Sequence, residues 1–136
     1  MNNFKINIGG IVFNKFEDFW LSNFQFNGSE TSFEIYKETF NEDLIHKILN
    51  ELNGELLGVN KEGIYLLSIL SEIFWGHGRN NVFQFSGFVI DNETDQRFID
   101  FRMCYHCIGE DNFSDFANWF IDIKDLKIVG CIRQQL

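Results

Sequence analysis

Runs of alternating apolar and polar residues, separated by glycine and asparagine turns, constrain the fold of this chain most strongly. Apolar residues occupy alternate positions from Phe4 to Ile8, and the alternation resumes at Ile11 after Gly9-Gly10. A two-residue Gly-Gly connection between such runs predicts a hairpin, although a single bulged strand fits the pattern nearly as well. Further strand-like runs lie at 23–27, 32–37, 82–90, 97–107, 119–123 and 128–133.

The run at 82–90 changes phase at Gly87, which predicts a β-bulge at that glycine. Residues Asp91 to Asp95 are expected to form the turn into the return strand at 97–107. Because side chains alternate across a strand, the return strand has two distinct faces. One face is expected to carry Ile99, Phe101, Met103, Tyr105 and Cys107, and the other Asp100, Arg102, Cys104 and His106.

Two segments follow a helical period. The first helix is expected to begin after the N-cap Asn41 and to end at Gly54, with one apolar stripe. The second runs from about Lys61 to Trp75 and is apolar around most of its circumference, so it is expected to be buried on nearly all sides. The elements together predict an α+β fold, a mostly antiparallel β-sheet with two main helices packed on it, in a single domain spanning residues 1–136.

The charge of the chain is negative and unevenly distributed. Seventeen Phe provide for a large apolar core, while the net charge is −9. Residues 91–125 hold nine Asp and Glu against three Arg and Lys, a net of −6, whereas residues 1–90 add −5 and the last eleven add +2. Nucleic acid and anionic membranes are not expected as partners, because both require clusters of Lys and Arg. An acidic surface can serve solubility alone, or it can attract a basic protein.

Cys104-Tyr105-His106-Cys107 is the first segment to consider as a metal site. Thiolate and imidazole suit zinc, and His77 and Cys131 are further possible ligands. On a strand, however, positions 104 and 106 face one way and position 107 the other, so structural cysteines are expected instead.

A nucleophilic cysteine is not expected either. A cysteine paired with His46, His77 or His106 as the base would depend on a spatial adjacency that the pattern does not indicate. The acidic surroundings would also raise the pKa of a thiol. We therefore predict no catalytic residue, no bound metal and no cofactor, and a protein that is not an enzyme.

The expected compartment is the cytoplasm. The segment Met1 to Lys5 lacks the basic start and long apolar stretch of a signal peptide, and the longest apolar stretch is too short to span a bilayer. Three Cys, two of them only three positions apart, do not resemble the disulfide framework of a secreted domain.

The acidic run from Asp91 to Asp125 and the closing hairpin, Trp119 to Ile123 followed by Ile128 to Arg133, resemble the immunity proteins that neutralise bacterial polymorphic and contact-dependent-inhibition toxins. That resemblance implies a small, acidic, cytosolic domain that occludes a basic toxin domain, such as a nuclease, by direct binding. It assigns no individual residue a role.

Charge and aromatic character suggest which residues contact the partner. We predict a partner-binding set composed of Asp91, Glu93, Asp95, Glu110, Asp111, Phe113, Asp115 and Trp119. Two alternatives stay open. One is a DNA mimic that blocks a nucleic-acid-binding protein, and the other is a small metalloprotein that uses Cys104, His106 and Cys107.

Overall fold

The computed structural model describes residues 5–37, 40–75, 81–92, 94–108 and 114–135, with the backbone alone at residues 75 and 114–116. These ranges contain eight strands and two helices. In chain order they are β1 (Lys5–Ile8), β2 (Ile11–Lys15), β3 (Trp20–Phe26), β4 (Ser29–Ile35), α1 (Glu42–Asn50), α2 (Glu55–Trp75), β5 (Val82–Ile90), β6 (Phe101–Ile108), β7 (Ser114–Lys124) and β8 (Lys127–Gln135).

The eight strands form one sheet whose spatial order is the same as their order in the chain. Neighbouring strands are antiparallel except β4 and β5, which are parallel. A parallel pair needs a long crossover connection, and α1 and α2 lie in that connection. The α+β class and the mostly antiparallel sheet are therefore confirmed.

Three tight hairpin turns have both central residues at positive φ, the backbone that best matches the right-handed twist of paired strands. Strands β1 and β2 pair across Gly9-Gly10, so this segment is a hairpin and not a single bulged strand. The three turns are Gly9-Gly10 at 59° and 87°, Asn27-Gly28 at 52° and 78°, and Asp125-Leu126 at 51° and 60°.

Local signals for two other features are also confirmed. The pairing of β5 with β6 shifts register between Phe85 and Gly87, which is the predicted bulge. The side chain of Asn41 accepts hydrogen bonds from the backbone N–H groups of Asp43 and Leu44, as an N-cap does. Helix α1 ends at Asn50, four residues before the predicted stop at Gly54.

We call the side of the sheet that carries the buried aromatic residues the core face. Its centre is Phe88, whose ring lies 5.0–5.9 Å from the rings of Phe26, Phe85 and Phe101. Helix α2 contacts β5 and β8. The helix comes close to the sheet at Gly63, where an added Cβ would lie 3.3 Å from the hydroxyl of Tyr105.

The prediction that the second helix is buried on nearly all sides is wrong. Helix α2 begins at Glu55 instead of Lys61, and Tyr65 and Ile73 are 68% and 75% exposed. A single sheet contacts only one side of a helix that lies on it, and the sheet's own Phe residues fill the core. Several apolar side chains of α2 are therefore exposed. Within the described residues, neither helix combines the length and the hydropathy needed to cross a membrane.

The predicted return strand at 97–107 begins later than expected, at Phe101. Residues 96–98 turn instead, and the backbone N–H groups of Phe98 and Ile99 both donate to the carbonyl of Asp95. That turn uses the backbone groups which a strand ladder would need.

Candidate functional site

The side of the sheet opposite the core face carries a second set of side chains, and we call it the open face. Strand register places Arg102 beside Asp122, Cys104 beside Phe120, and His106 beside Asn118 on β6 and β7. The predicted alternation on β6 is thus confirmed, because Phe101, Met103, Tyr105 and Cys107 belong to the core cluster.

A groove of about 400 Å³ crosses the open face over β4, β5, β6 and β7. Its volume falls in the range of small-molecule and side-chain pockets. We call it the open-face groove, and its lining consists of Ser32, Glu34, Tyr36, Ser86, Gly87, Val89, Asp91, Cys104, His106, Asn118 and Phe120.

The bulge on β5 shapes the middle of the groove. At Gly87 the backbones of β4 and β5 approach so closely that an added Cβ would lie 2.6 Å from the carbonyl oxygen of Ser32. Two serine side chains hold the strands in this arrangement. The hydroxyl of Ser32 donates to the carbonyl of Ser86 at 3.4 Å, and the hydroxyl of Ser86 donates to the carbonyl of Cys104 at 3.1 Å.

A buried ion pair lies next to the groove. The Nε of Arg102 donates to Oδ1 of Asp122 at 2.8 Å, and the two side chains are 5% and 8% exposed. The Nη1 of the same guanidinium lies 3.9 Å from Oδ2 of Asp91, and its plane centre lies 5.4 Å from the ring of Phe120. The cation of Arg102 is therefore largely compensated from within the protein.

Two carboxylates give the groove a negative field. The hydroxyl of Tyr36 donates to Oε2 of Glu34 at 2.6 Å. Burial, followed by the hydrogen bond and charge of Glu34 and the charge of Asp91, raises the pKa of Tyr36 to about 12. Burial also raises the pKa of the Cys104 thiol, and the charge of Glu34 adds to that effect. A thiolate or phenolate is therefore disfavoured in this groove, first by burial and then by the charge of Glu34.

The predicted partner-binding residues do not form one surface in the described part of the chain. Asp91 lines the open-face groove, whereas Asp95 lies on the following turn and pairs with Arg97 at 2.7 Å, which lowers the pKa of Asp95 to about 2. Trp119 lies on the core face and is 3% exposed, with its ring against Phe83.

The other five predicted partner-binding residues have no described side chains. Glu93, Glu110, Asp111 and Phe113 lie outside the described residues, and Asp115 lies in β7 with its side chain outside them. The partner-binding assignment of the whole set therefore stays a prediction.

Several acids of the 91–125 segment interact within the protein. Besides Asp95 and Asp122, Asp100 pairs with Nζ of Lys124 at 3.1 Å and accepts a hydrogen bond from the backbone N–H of Asp125 at 2.9 Å. The Asp122–Arg102 and Asp100–Lys124 pairs join residues 20 or more positions apart, so no local pattern predicts them. Glu34 and Tyr36 were not predicted either, although both lie in the alternating run at 32–37 whose polar positions define the open face.

The cysteines and histidines are divided between the two faces. Cys104 and His106 line the open-face groove, whereas Cys107 is buried on the core face, as the alternation predicted. Among the described residues, no three His, Cys, Asp or Glu side chains converge as a metal site. His77 lies outside the described residues.

No protein-family model, curated protein or solved structure matches this chain. A role for the open-face groove therefore depends on its own geometry and electrostatics.

Proposed function

We propose that this protein binds and neutralises a basic protein in the cytoplasm, in the manner of the toxin-immunity proteins that its sequence resembles. One observation carries the proposal. Glu34 and Asp91 line the same open-face groove, and the guanidinium of Arg102, which lies 3.9 Å from Asp91, is paired closely with Asp122. In this proposal a cation of the partner binds in the groove, with Glu34 as its main carboxylate.

The chemistry of the lining suits a Lys or Arg side chain of the partner. The ring of Phe120 and the side chain of Val89 provide an apolar wall for the aliphatic stem, and the carboxylates receive the charged end. An Arg guanidinium additionally matches a carboxylate with two parallel hydrogen bonds.

The overall charge assists the encounter. A chain with a net charge of −9 attracts a basic protein over distances of about 10 Å, the screening length at 0.1 M salt. In this proposal both helices cover the core face, so a partner reaches the open face without displacing either one.

Affinity capture from a lysate of the source cell tests the proposal. The immobilised protein is expected to retain one basic protein through a high-salt wash, and the double variant Glu34→Lys/Asp91→Lys is expected to lose it. A matched control is Glu17→Lys/Glu62→Lys, which makes the same change in net charge at two exposed positions outside the groove.

The comparison of the two double variants decides the assignment. With the purified partner, we expect at least a tenfold loss of affinity for the groove variant and less than a threefold loss for the control. Equal losses would show that net charge alone matters and would remove the groove from the mechanism. Displacement of the retained protein by duplex DNA would instead favour the DNA-mimic alternative.

A further inference from the structure

A pocket of about 380 Å³ lies between α2 and the strands beside it, and it shares no lining residue with the open-face groove. It opens where the sheet is incomplete, because the ladder between β4 and β5 begins only at Ser32 and Gly87. Its volume falls in the range of small-molecule sites. We call it the α2–β5 pocket, and its lining includes Phe26, Ser29, Asn60, Ile64, Gln84 and Phe85.

The aromatic wall of this pocket is only partly occupied by other rings. Phe85 is half-buried, and the rings of Phe26, Phe88 and Tyr105 lie 5.0–5.3 Å from its ring at interplanar angles of 63–66°. Rings at such angles meet edge to face, so none of these three stacks on Phe85. A flat ring that enters the pocket can therefore stack on this side chain.

A buried carboxamide borders the same space. Asn60 is 4% exposed, and its Oδ1 accepts the hydrogen bond of the Tyr105 hydroxyl at 2.6 Å. Burial raises the pKa of Tyr105, so the phenol keeps its proton and stays the donor. Nδ2 of Asn60 forms no hydrogen bond with any described residue, yet it is not fully enclosed, so it faces the pocket that Asn60 lines. Its N–H groups are thus left for a ligand that carries an acceptor.

The charge of the lining distinguishes between classes of ligand. None of the described residues that line this pocket is charged, and Asn27, Asn60 and Gln84 each end in a carboxamide. An anion would meet no cation here, in a protein whose net charge is −9. A cation would meet no carboxylate here, whereas Glu34 lines the open-face groove. The pocket therefore suits an uncharged ligand that has both hydrogen-bond donors and acceptors.

We propose that the α2–β5 pocket binds an uncharged purine base of the adenine type, as the free base or its nucleoside. The carboxamide of Asn or Gln matches adenine with two hydrogen bonds, to N7 and from the N6 amino group. Gln84 provides this pairing at the exposed rim, Asn60 donates to another ring nitrogen, and Phe85 stacks on the base. This inference does not depend on the proposed binding of a basic protein, because the two sites are lined by different residues.

Isothermal titration calorimetry of the full chain with adenosine as the probe tests the proposal. We expect one site per chain with a Kd below about 1 mM. Phe85→Leu keeps an apolar side chain but removes the ring, so it is expected to raise the Kd at least fivefold, and Gln84→Ala at least threefold. Gln25→Ala changes the same residue type at an exposed position outside the pocket and is expected to leave the Kd within twofold. Adenosine monophosphate is expected to bind at least fivefold more weakly, because its phosphate meets no cation.

Nuclear magnetic resonance locates the site, because adenosine is expected to shift the side-chain amide signals of Asn60 and the backbone amide signal of Phe85. The inference is overturned by the absence of saturable binding up to about 5 mM adenosine, or by shifts confined to residues outside the pocket. A Gln84→Ala variant that binds as tightly as the unsubstituted protein would also overturn it. Because Gln84 is exposed, this variant is expected to keep the fold even if Phe85→Leu does not.

Discussion

Arg102 and Asp122 lie directly opposite each other on β6 and β7 and form an almost fully buried ion pair on the open face of the sheet. The pair joins two neighbouring strands next to the groove and compensates the charge of the guanidinium there. It therefore connects the stability of the sheet to the electrostatics of the proposed binding site.

Breaking this pair is expected to destabilise the protein strongly. Arg102→Met leaves the carboxylate of Asp122 buried without its cation, and such a change typically costs about 3–5 kcal/mol of unfolding free energy. Arg102→Met/Asp122→Leu removes both charges and is expected to cost clearly less than the single change. Urea unfolding at neutral pH measures the unfolding free energy of each of these variants.

The exposed pair of Arg97 and Asp95 provides the matched control, because its arginine side chain is 79% exposed. Arg97→Met is expected to change the urea midpoint very little. If Arg102→Met shifted the midpoint no further than Arg97→Met, the buried pair would not contribute to stability as described.

The titration of Tyr36 reports the negative field of the groove. We expect its phenol to titrate with a pKa of about 12, raised by burial and then by the hydrogen bond and charge of Glu34, and Glu34→Gln to lower that pKa by removing the part due to Glu34. The difference in tyrosinate absorbance between the unsubstituted protein and Tyr36→Phe isolates this group. A native pKa near 10 would contradict the proposed field.

The sign of the linked change in stability follows from the direction of the shift. The pKa of Tyr36 is higher in the folded protein than in the unfolded chain, so folding strengthens proton binding. The resulting stabilisation is complete below pH 10, the unfolded pKa, and is lost as the pH rises through about 12. Tyr36→Phe is therefore expected to flatten the decline of stability over that interval.

Gly87 and Gly58 are expected to respond oppositely to alanine. Gly87→Ala forces a Cβ against the backbone of Ser32 at the bulge, and overpacking of this kind costs about 1–3 kcal/mol or more. Gly58 lies within α2 with open space around it, so Gly58→Ala is expected to stabilise the protein by about 0.5–1 kcal/mol. Thermal unfolding of the two variants makes the comparison. A tolerated Gly87→Ala would show that β4 and β5 can separate there.

Features determined by neighbouring residues could be predicted from the sequence. The Gly9-Gly10 turn, the bulge at Gly87 and the cap at Asn41 all depend on local backbone preferences, and so does the alternation that separates Cys104 from Cys107. The order of the sheet and its parallel pair were not predicted, because both depend on how the α1–α2 connection returns the chain to β4.

The parts of the site that could not be predicted from the sequence depend on pairing between residues that are far apart in the chain. Nothing near Arg102 in the chain indicates Asp122 as its partner, and Glu34 reaches the same groove as Asp91 only through the parallel pairing of β4 with β5. The sequence pattern shows that α2 is apolar around most of its circumference, but the burial of a helix depends on which surfaces surround it. An apolar residue on a bare side has the same sequence signature as one in a core.

The hydrogen bond between Tyr105 and Asn60 is expected to join α2 to the sheet energetically. The hydroxyl of Tyr105 donates to Oδ1 of Asn60 at 2.6 Å, and both residues are buried. Tyr105→Phe leaves the amide oxygen buried without a donor, which costs about 1–3 kcal/mol of unfolding free energy. Asn60→Leu combined with Tyr105→Phe replaces both polar groups, so a double-mutant cycle should show coupling well above zero.

Tyr65→Phe, which removes an exposed hydroxyl from the same helix, is the control and should change stability by no more than about 0.5 kcal/mol at low protein concentration. Additive effects of the Tyr105 and Asn60 substitutions would mean that the bond contributes nothing to holding α2 against β6.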